Sequence, residues 1–86
     1  MKKYNIFWKK SAVKEIRSLP KEIALKIATK IQNLEEEPNP IGSKKLLGTY
    51  NSYRIRIGDY RVIYSIFNDI LEIEVVAVAH RKEIYK

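Results

Sequence analysis

Tyr53-Arg54-Ile55-Arg56-Ile57-Gly58-Asp59-Tyr60-Arg61-Val62-Ile63-Tyr64 alternates with a period of two on both sides of a Gly-Asp break. That pattern predicts a β-hairpin. With Gly58-Asp59 as a two-residue turn, Ile57 faces Tyr60, Arg56 faces Arg61 and Ile55 faces Val62. One face then carries Tyr53, Ile55, Ile57, Tyr60, Val62 and Tyr64 and belongs against a core. The other gathers Arg54, Arg56 and Arg61, and Asp59 in the turn is the only acidic residue between Glu37 and Asp69. Like charges directly opposite each other across two strands are destabilising. An anion seated on that face would offset the cost.

The flanking sequence supplies the layer that covers the core face. Residues 3–8 read as a short strand. Ser11 is placed to cap a first helix, whose apolar positions are Ala12, Val13, Ile16 and Leu19. Leu19-Pro20 ends that helix, and Pro20 suits the first position of a second. Ile23, Ile27, Ile31 and Leu34 form one stripe along the second helix, which runs to about Glu36 and closes at Pro38-Asn39-Pro40. The short connection predicts antiparallel neighbouring helices. Residues 41–49 are expected to be a loop. After the hairpin, Asn68-Asp69 reads as a tight turn into a last strand over 70–79, whose apolar end is expected to be central and covered on both faces. The result is one α+β domain over residues 1–86. An N-terminal strand and a two-helix hairpin precede a three-stranded antiparallel meander, with the helices on one face of the sheet.

With 86 residues the chain is sized for one small domain, and 45% apolar content gives it a core. It contains no cysteine and one histidine, His80, so disulfides, thiolate metal sites and multi-histidine metal sites are excluded within one chain. No metal or other cofactor is expected. No apolar run approaches a membrane span, and Met1-Lys2-Lys3 is not followed by a signal-peptide core, so a soluble cytoplasmic protein is expected.

The formal charge of +7 attracts polyanions. Ten of the twelve lysines lie in residues 1–45, whereas four of the five arginines lie in residues 54–81. Lysine is a hydrated point charge; arginine presents a planar fork of donors suited to phosphate. The second half of the chain therefore looks like the specific anion site. The last strand is expected to carry His80, Arg81 and Tyr85 toward the Arg61 end of the hairpin, assembling one patch. Such a patch has no carboxylate cluster for magnesium, no glycine-rich phosphate loop and no nucleophilic serine motif. RNA, however, brings its own nucleophile, the 2′-hydroxyl beside each phosphate. Positive charge, a base and a proton donor would suffice to cleave it, leaving a 2′,3′-cyclic phosphate. The same patch could also simply bind phosphate.

Three segments together resemble the RelE/ParE superfamily of type II toxin–antitoxin toxins, the RelE branch in particular. They are Lys45-Leu46-Leu47-Gly48, the hairpin Tyr53 to Tyr64, and His80-Arg81-Lys82-Glu83-Ile84-Tyr85. The resemblance runs over essentially the whole chain. It implies a fold similar to microbial ribonucleases, cleavage of mRNA in the ribosomal A site, and inhibition by a wrapped-around antitoxin. For a chain of this charge the antitoxin is expected to be acidic and RelB-like. By the same resemblance Arg54 and Arg56 hold the RNA backbone and Arg61 contacts the scissile phosphate. Arg81 supports the transition state, and Tyr85 or His80 moves the proton. Lys44 and Lys45 are expected to add to the RNA-binding surface. The ParE branch implies a different outcome, a non-nucleolytic toxin that inhibits DNA gyrase. A third outcome is an inactive homologue that acts only as a binding partner.

Overall fold

The computed structural model describes residues 3–80 and Lys82. Among the described residues, five strands and two helices follow one another as β1 (Asn5–Trp8), α1 (Lys10–Arg17), α2 (Lys21–Gln32), β2 (Lys44–Lys45), β3 (Ser52–Ile57), β4 (Tyr60–Phe67) and β5 (Glu72–His80), with a 3₁₀ turn at Asn33–Glu35. The spatial order of the sheet is β1-β5-β4-β3-β2. β1 runs parallel to β5, and all other pairs are antiparallel. The hairpin has the register its sequence requires: Ile57 opposite Tyr60, Arg56 opposite Arg61, Ile55 opposite Val62. Gly58 opens the turn at φ +61°, a left-handed conformation that glycine adopts at little cost.

One face of the sheet builds the core. Ile55, Ile57, Val62, Tyr64, Ile66, Ile73, Val75 and Val78 pack with Ala12, Ile27, Ile31 and Leu34 from the helical segment. Ile27, Val62, Tyr64, Ile73 and Val75 are fully enclosed. Each such aliphatic side chain stabilises the fold by roughly 1.5–3 kcal/mol relative to exposure. The Tyr64 hydroxyl donates to the Pro38 carbonyl at 2.9 Å, tying the proline-rich connection to the central strand.

Several local expectations are corrected. Helix α1 starts at Lys10 with Lys9 at its N-cap position, and no side-chain cap, from Ser11 or otherwise, is present. The backbone decides this: the Lys9 N–H donates to Val75 O, and Lys9 O accepts from Val13, so the chain leaves β1 directly into the helix. Pro20 is likewise the N-cap residue of α2 and not its first helical residue. Within the stretch expected to be loop, Lys44–Lys45 forms a short edge strand against Tyr53 and Arg54. The Asn68-Asp69 turn is wider than two residues, since Phe67 pairs with Glu72 across a four-residue loop. Leu71 adopts φ +51° there, and its carbonyl accepts from the Asn5 N–H while its side chain packs on the core.

The last strand holds the correction with the largest consequence. Ile63 pairs with Ala77 but Tyr64 pairs with Val75, which leaves Val76 as an extra residue, a β-bulge. An extra residue reverses the inside–outside alternation beyond it. Ile73 and Val75 face the core before the bulge, whereas Val78 and His80 share the core-side rows of Val62 and Tyr60 after it.

Candidate functional site

The face of the sheet away from the helices carries the basic residues in adjacent rows. One row is Arg56, Arg61 and Ala79; the next is Lys44, Arg54, Ile63 and Ala77. No residue of these two rows is acidic. The three arginines are not equivalent. Arg56 is exposed and Arg54 half-buried, but Arg61 is only 2% exposed. Arg61 stands on β4, the central strand of five, between Arg56 and Ala79 on its neighbours. A side chain so enclosed is held in one place, while Arg56 and Arg54 keep freedom to adjust to a ligand.

Lys44 stands opposite Arg54 and joins the basic face, but Lys45 stands opposite Tyr53 and shares the other face. His80 is also on the other face. It pairs directly with Tyr60, and the two rings meet edge to face with centroids 5.3 Å apart. A hollow of about 270 Å³ there is lined by Glu15, Ser18, Leu19, Tyr60, Val78, Ala79 and His80. His80 Nδ1 accepts from the Lys82 backbone N–H at 3.3 Å. The bulge at Val76 accounts for this placement, because unbroken alternation from Glu72 and Glu74 would put His80 among the arginines. Arg81 and Tyr85 lie outside the described residues.

Two polar features hold the site's scaffold. β1 ends at Trp8, so among the described residues the outer half of β5 has no strand on that side. The Glu15 carboxylate of α1 takes over there and accepts from the Val78 N–H at 3.0 Å. Ser52 and Ser65, paired across β3 and β4 with their hydroxyl oxygens 3.0 Å apart, continue the basic face into neutral ground. On the core side, Tyr53 stacks on Tyr64 with centroids 6.0 Å apart. Burial pushes the Tyr64 phenol above its ordinary pKa of 10.0, partly opposed by the Ser43 side chain and reinforced by Tyr53. Glu72 and Glu74, to which the sequence reading gave no role, occupy the far end of the same face as the arginines. The alternation Glu72-Ile73-Glu74 is the signal that could have placed them.

A family model described as ParE toxin of type II toxin–antitoxin system, parDE, matches residues 6–85. This chain belongs to the RelE/ParE family of type II toxins. It is 30% identical to toxin RelE3 of Methanocaldococcus jannaschii over 93% of each protein. Its fold is similar to the toxin in the archaeal RelE–RelB complex from Pyrococcus horikoshii, with TM-score 0.82, 36% identity, and coverage of 94% of this chain and 97% of that one. The isolated RelE toxin of Escherichia coli is similar at TM-score 0.80 and 26% identity, over 95% of this chain and 90% of that one. Two helices against a five-stranded, mostly antiparallel sheet is therefore the RelE-type architecture. Among the described residues no helix is long and apolar enough to cross a membrane.

Proposed function

We propose that this toxin is a cytoplasmic, ribosome-dependent endoribonuclease that cuts mRNA by attack of a 2′-hydroxyl on the adjacent phosphate. The observation that carries the reading is the basic face itself, on which Lys44, Arg54, Arg56 and Arg61 stand in adjacent rows with no acidic residue between them. A site of fixed positive charge stabilises the pentacovalent phosphate more than the ground state, because negative charge accumulates on the equatorial oxygens. Arg61, enclosed beneath the face, is assigned to supply fixed positive charge under the scissile phosphate; Arg54, Arg56 and Lys44, which reach the surface, are assigned to hold the strand on either side. The 2′-hydroxyl gives its proton to the base as its oxygen bonds to phosphorus, the P–O5′ bond breaks, the departing 5′-oxygen takes a proton from water, and the products are a 2′,3′-cyclic phosphate and a 5′-hydroxyl.

An arginine is a poor proton carrier, since its pKa stays above about 12. The base is therefore assigned to Tyr85, with Arg81 supporting the transition state. His80 is assigned a positioning role on the opposite face, where it packs against Tyr60. Ribosomal orientation of the 2′-hydroxyl would supply the in-line geometry that a flexible free RNA lacks. The partner that silences the toxin is an antitoxin, a reading supported by similarity to toxins solved in RelE–RelB complexes.

Primer extension on mRNA after induction tests the proposal: cuts should map within translated codons for the wild type and vanish for Arg61→Ala and Arg81→Ala. Growth arrest with intact mRNA would sink it. The ParE description of the matched family model favours one second reading, inhibition of DNA gyrase without RNA cleavage. That reading requires supercoiling to stop at toxin concentrations that leave mRNA whole.

A further inference from the structure

The sheet face that bears the arginines is divided in charge along its strands. At the hairpin end lie Lys44, Arg54 and Arg56. At the opposite end Phe7, Glu74 and Ser65 form one row, and Asn5, Glu72 and Phe67 the next. Ile70 closes that end from the β4–β5 loop, leaving an open hollow of about 290 Å³ between the two phenylalanines and the two glutamates. Phe7 is 51% and Ile70 56% exposed, and the two stand together at this end of the face. The rows are consecutive: that of Lys44, Arg54, Ile63 and Ala77 is followed directly by that of Ser65, Glu74 and Phe7, so only the uncharged Ile63, Ala77 and Ser65 lie between the arginines of β3 and the glutamates of β5. Phe67 is six residue steps along β4 from Arg61, about 20 Å at a strand's rise per residue.

A continuous polyanion does not fit this surface end to end. Glu72 and Glu74 repel phosphates, and exposed Phe7 and Ile70 gain nothing from a sugar–phosphate backbone. An anionic membrane meets the same repulsion. We infer that the whole face is the docking surface of a polypeptide segment of divided charge, with acidic side chains over Lys44, Arg54 and Arg56, and apolar and basic side chains over Phe7, Ile70, Glu72 and Glu74. Phenyl rings beside carboxylates suit lysine or arginine twice over, by ion pairing and by cation–π contact. A helix spans about 20 Å in roughly 13 residues. One that is acidic at its N-terminus and basic at its C-terminus also complements its own macrodipole. The inference rests on the reading of this chain as a toxin with a protein inhibitor, and it gives that inhibitor's segment a charge order instead of a uniformly acidic character.

The test uses three synthetic helical peptides of 18 residues in fluorescence anisotropy. One carries a glutamate block and a lysine block at opposite ends of a leucine stripe. The second has the same composition with charges interleaved, and the third replaces the lysine block with glutamate. The wild type should bind the divided peptide most tightly. Glu72→Gln/Glu74→Gln should weaken that peptide by roughly three- to tenfold. Glu72→Lys/Glu74→Lys should reverse the preference toward the all-acidic peptide. If the charge-reversed variant does not fold, the glutamine variant still carries the test. Binding unchanged by the glutamine pair, or tightest binding of the all-acidic peptide by the wild type, overturns the inference. mRNA cleavage by the wild type is read in parallel. Its absence alongside a working charge swap would sink the proposed function alone, and its presence alongside a failed swap would sink only the docking surface.

Discussion

Arg56 stands directly opposite Arg61 across β3 and β4, yet Arg56 is exposed and Arg61 is enclosed. Like charges directly opposite across two strands repel, and the anion proposed to bind this face would offset the cost. Arg56→Gln should therefore stabilise the free protein, by about 0.2–1 kcal/mol. For a domain of this size that is roughly 1–8 °C in Tm. The gain should shrink as salt screens the repulsion. Inorganic phosphate should raise the Tm of the wild type more than that of the variant. A lower Tm for Arg56→Gln at low salt would show that the opposition costs nothing.

Glu15 completes the edge of β5 where β1 runs out, by accepting the Val78 N–H. Glu15→Ala leaves that donor without its charged acceptor, a loss of about 1.5–3 kcal/mol. Glu15→Gln keeps an oxygen at the same position and should recover much of it. Amide exchange at Val78 should accelerate far more in the alanine variant than in the glutamine one. Equal exchange in all three proteins would mean that water replaces the carboxylate freely.

How far the chain could be read from its sequence depends on where its periodicity stays intact. The hairpin alternates cleanly, so its register, its core face and its arginine face were all legible. The same holds for the helical stripe of Ile23, Ile27, Ile31 and Leu34. The run Val75-Val76-Ala77-Val78-Ala79 has no polar residue to report which side is which, so nothing in it marks Val76 as the bulged position. The misplacement of His80 follows from that silence. Burial of Arg61 was also illegible, because alternation gives the face of a residue but not the neighbours that enclose it. Edge strand Lys44–Lys45 is only two residues long, too short for any period to register.

The buried phenol of Tyr64 gives the fold an alkaline limit. Its pKa is raised in the folded state above the ordinary value of 10.0, chiefly because burial disfavours the phenolate. Below pH 10 the phenol is neutral in both states and contributes no pH dependence. As pH rises past 10 the unfolded chain loses the proton first, so stability falls. Tyr64→Phe removes both this effect and the hydrogen bond to Pro38. At pH 8 the variant should be less stable by about 0.5–1.5 kcal/mol. The gap should narrow above pH 10, where only the wild type loses stability through this group. Denaturant melts at pH 8, 10 and 11 check it, and a gap that stays constant would remove Tyr64 as the cause.

Phosphate contacts by Arg54 and Arg56 should be countable in the salt dependence of RNA binding. Each neutralised phosphate on a single strand releases counterions worth a slope of about −0.7 in log K against log salt. Arg54→Gln/Arg56→Gln should therefore flatten the slope by about 1.4, two contacts at that value, and weaken binding to all sequences alike. Arg61 is a poorer subject for this measurement, since an enclosed side chain affects folding as well as binding. Glu72→Gln/Glu74→Gln should leave the slope of the wild type in place if RNA stays at the hairpin end. A steeper slope in that variant would instead show that phosphates reach the acidic end once its charge is removed. That would mean charge, and not the shape of the face, sets where bound RNA stops.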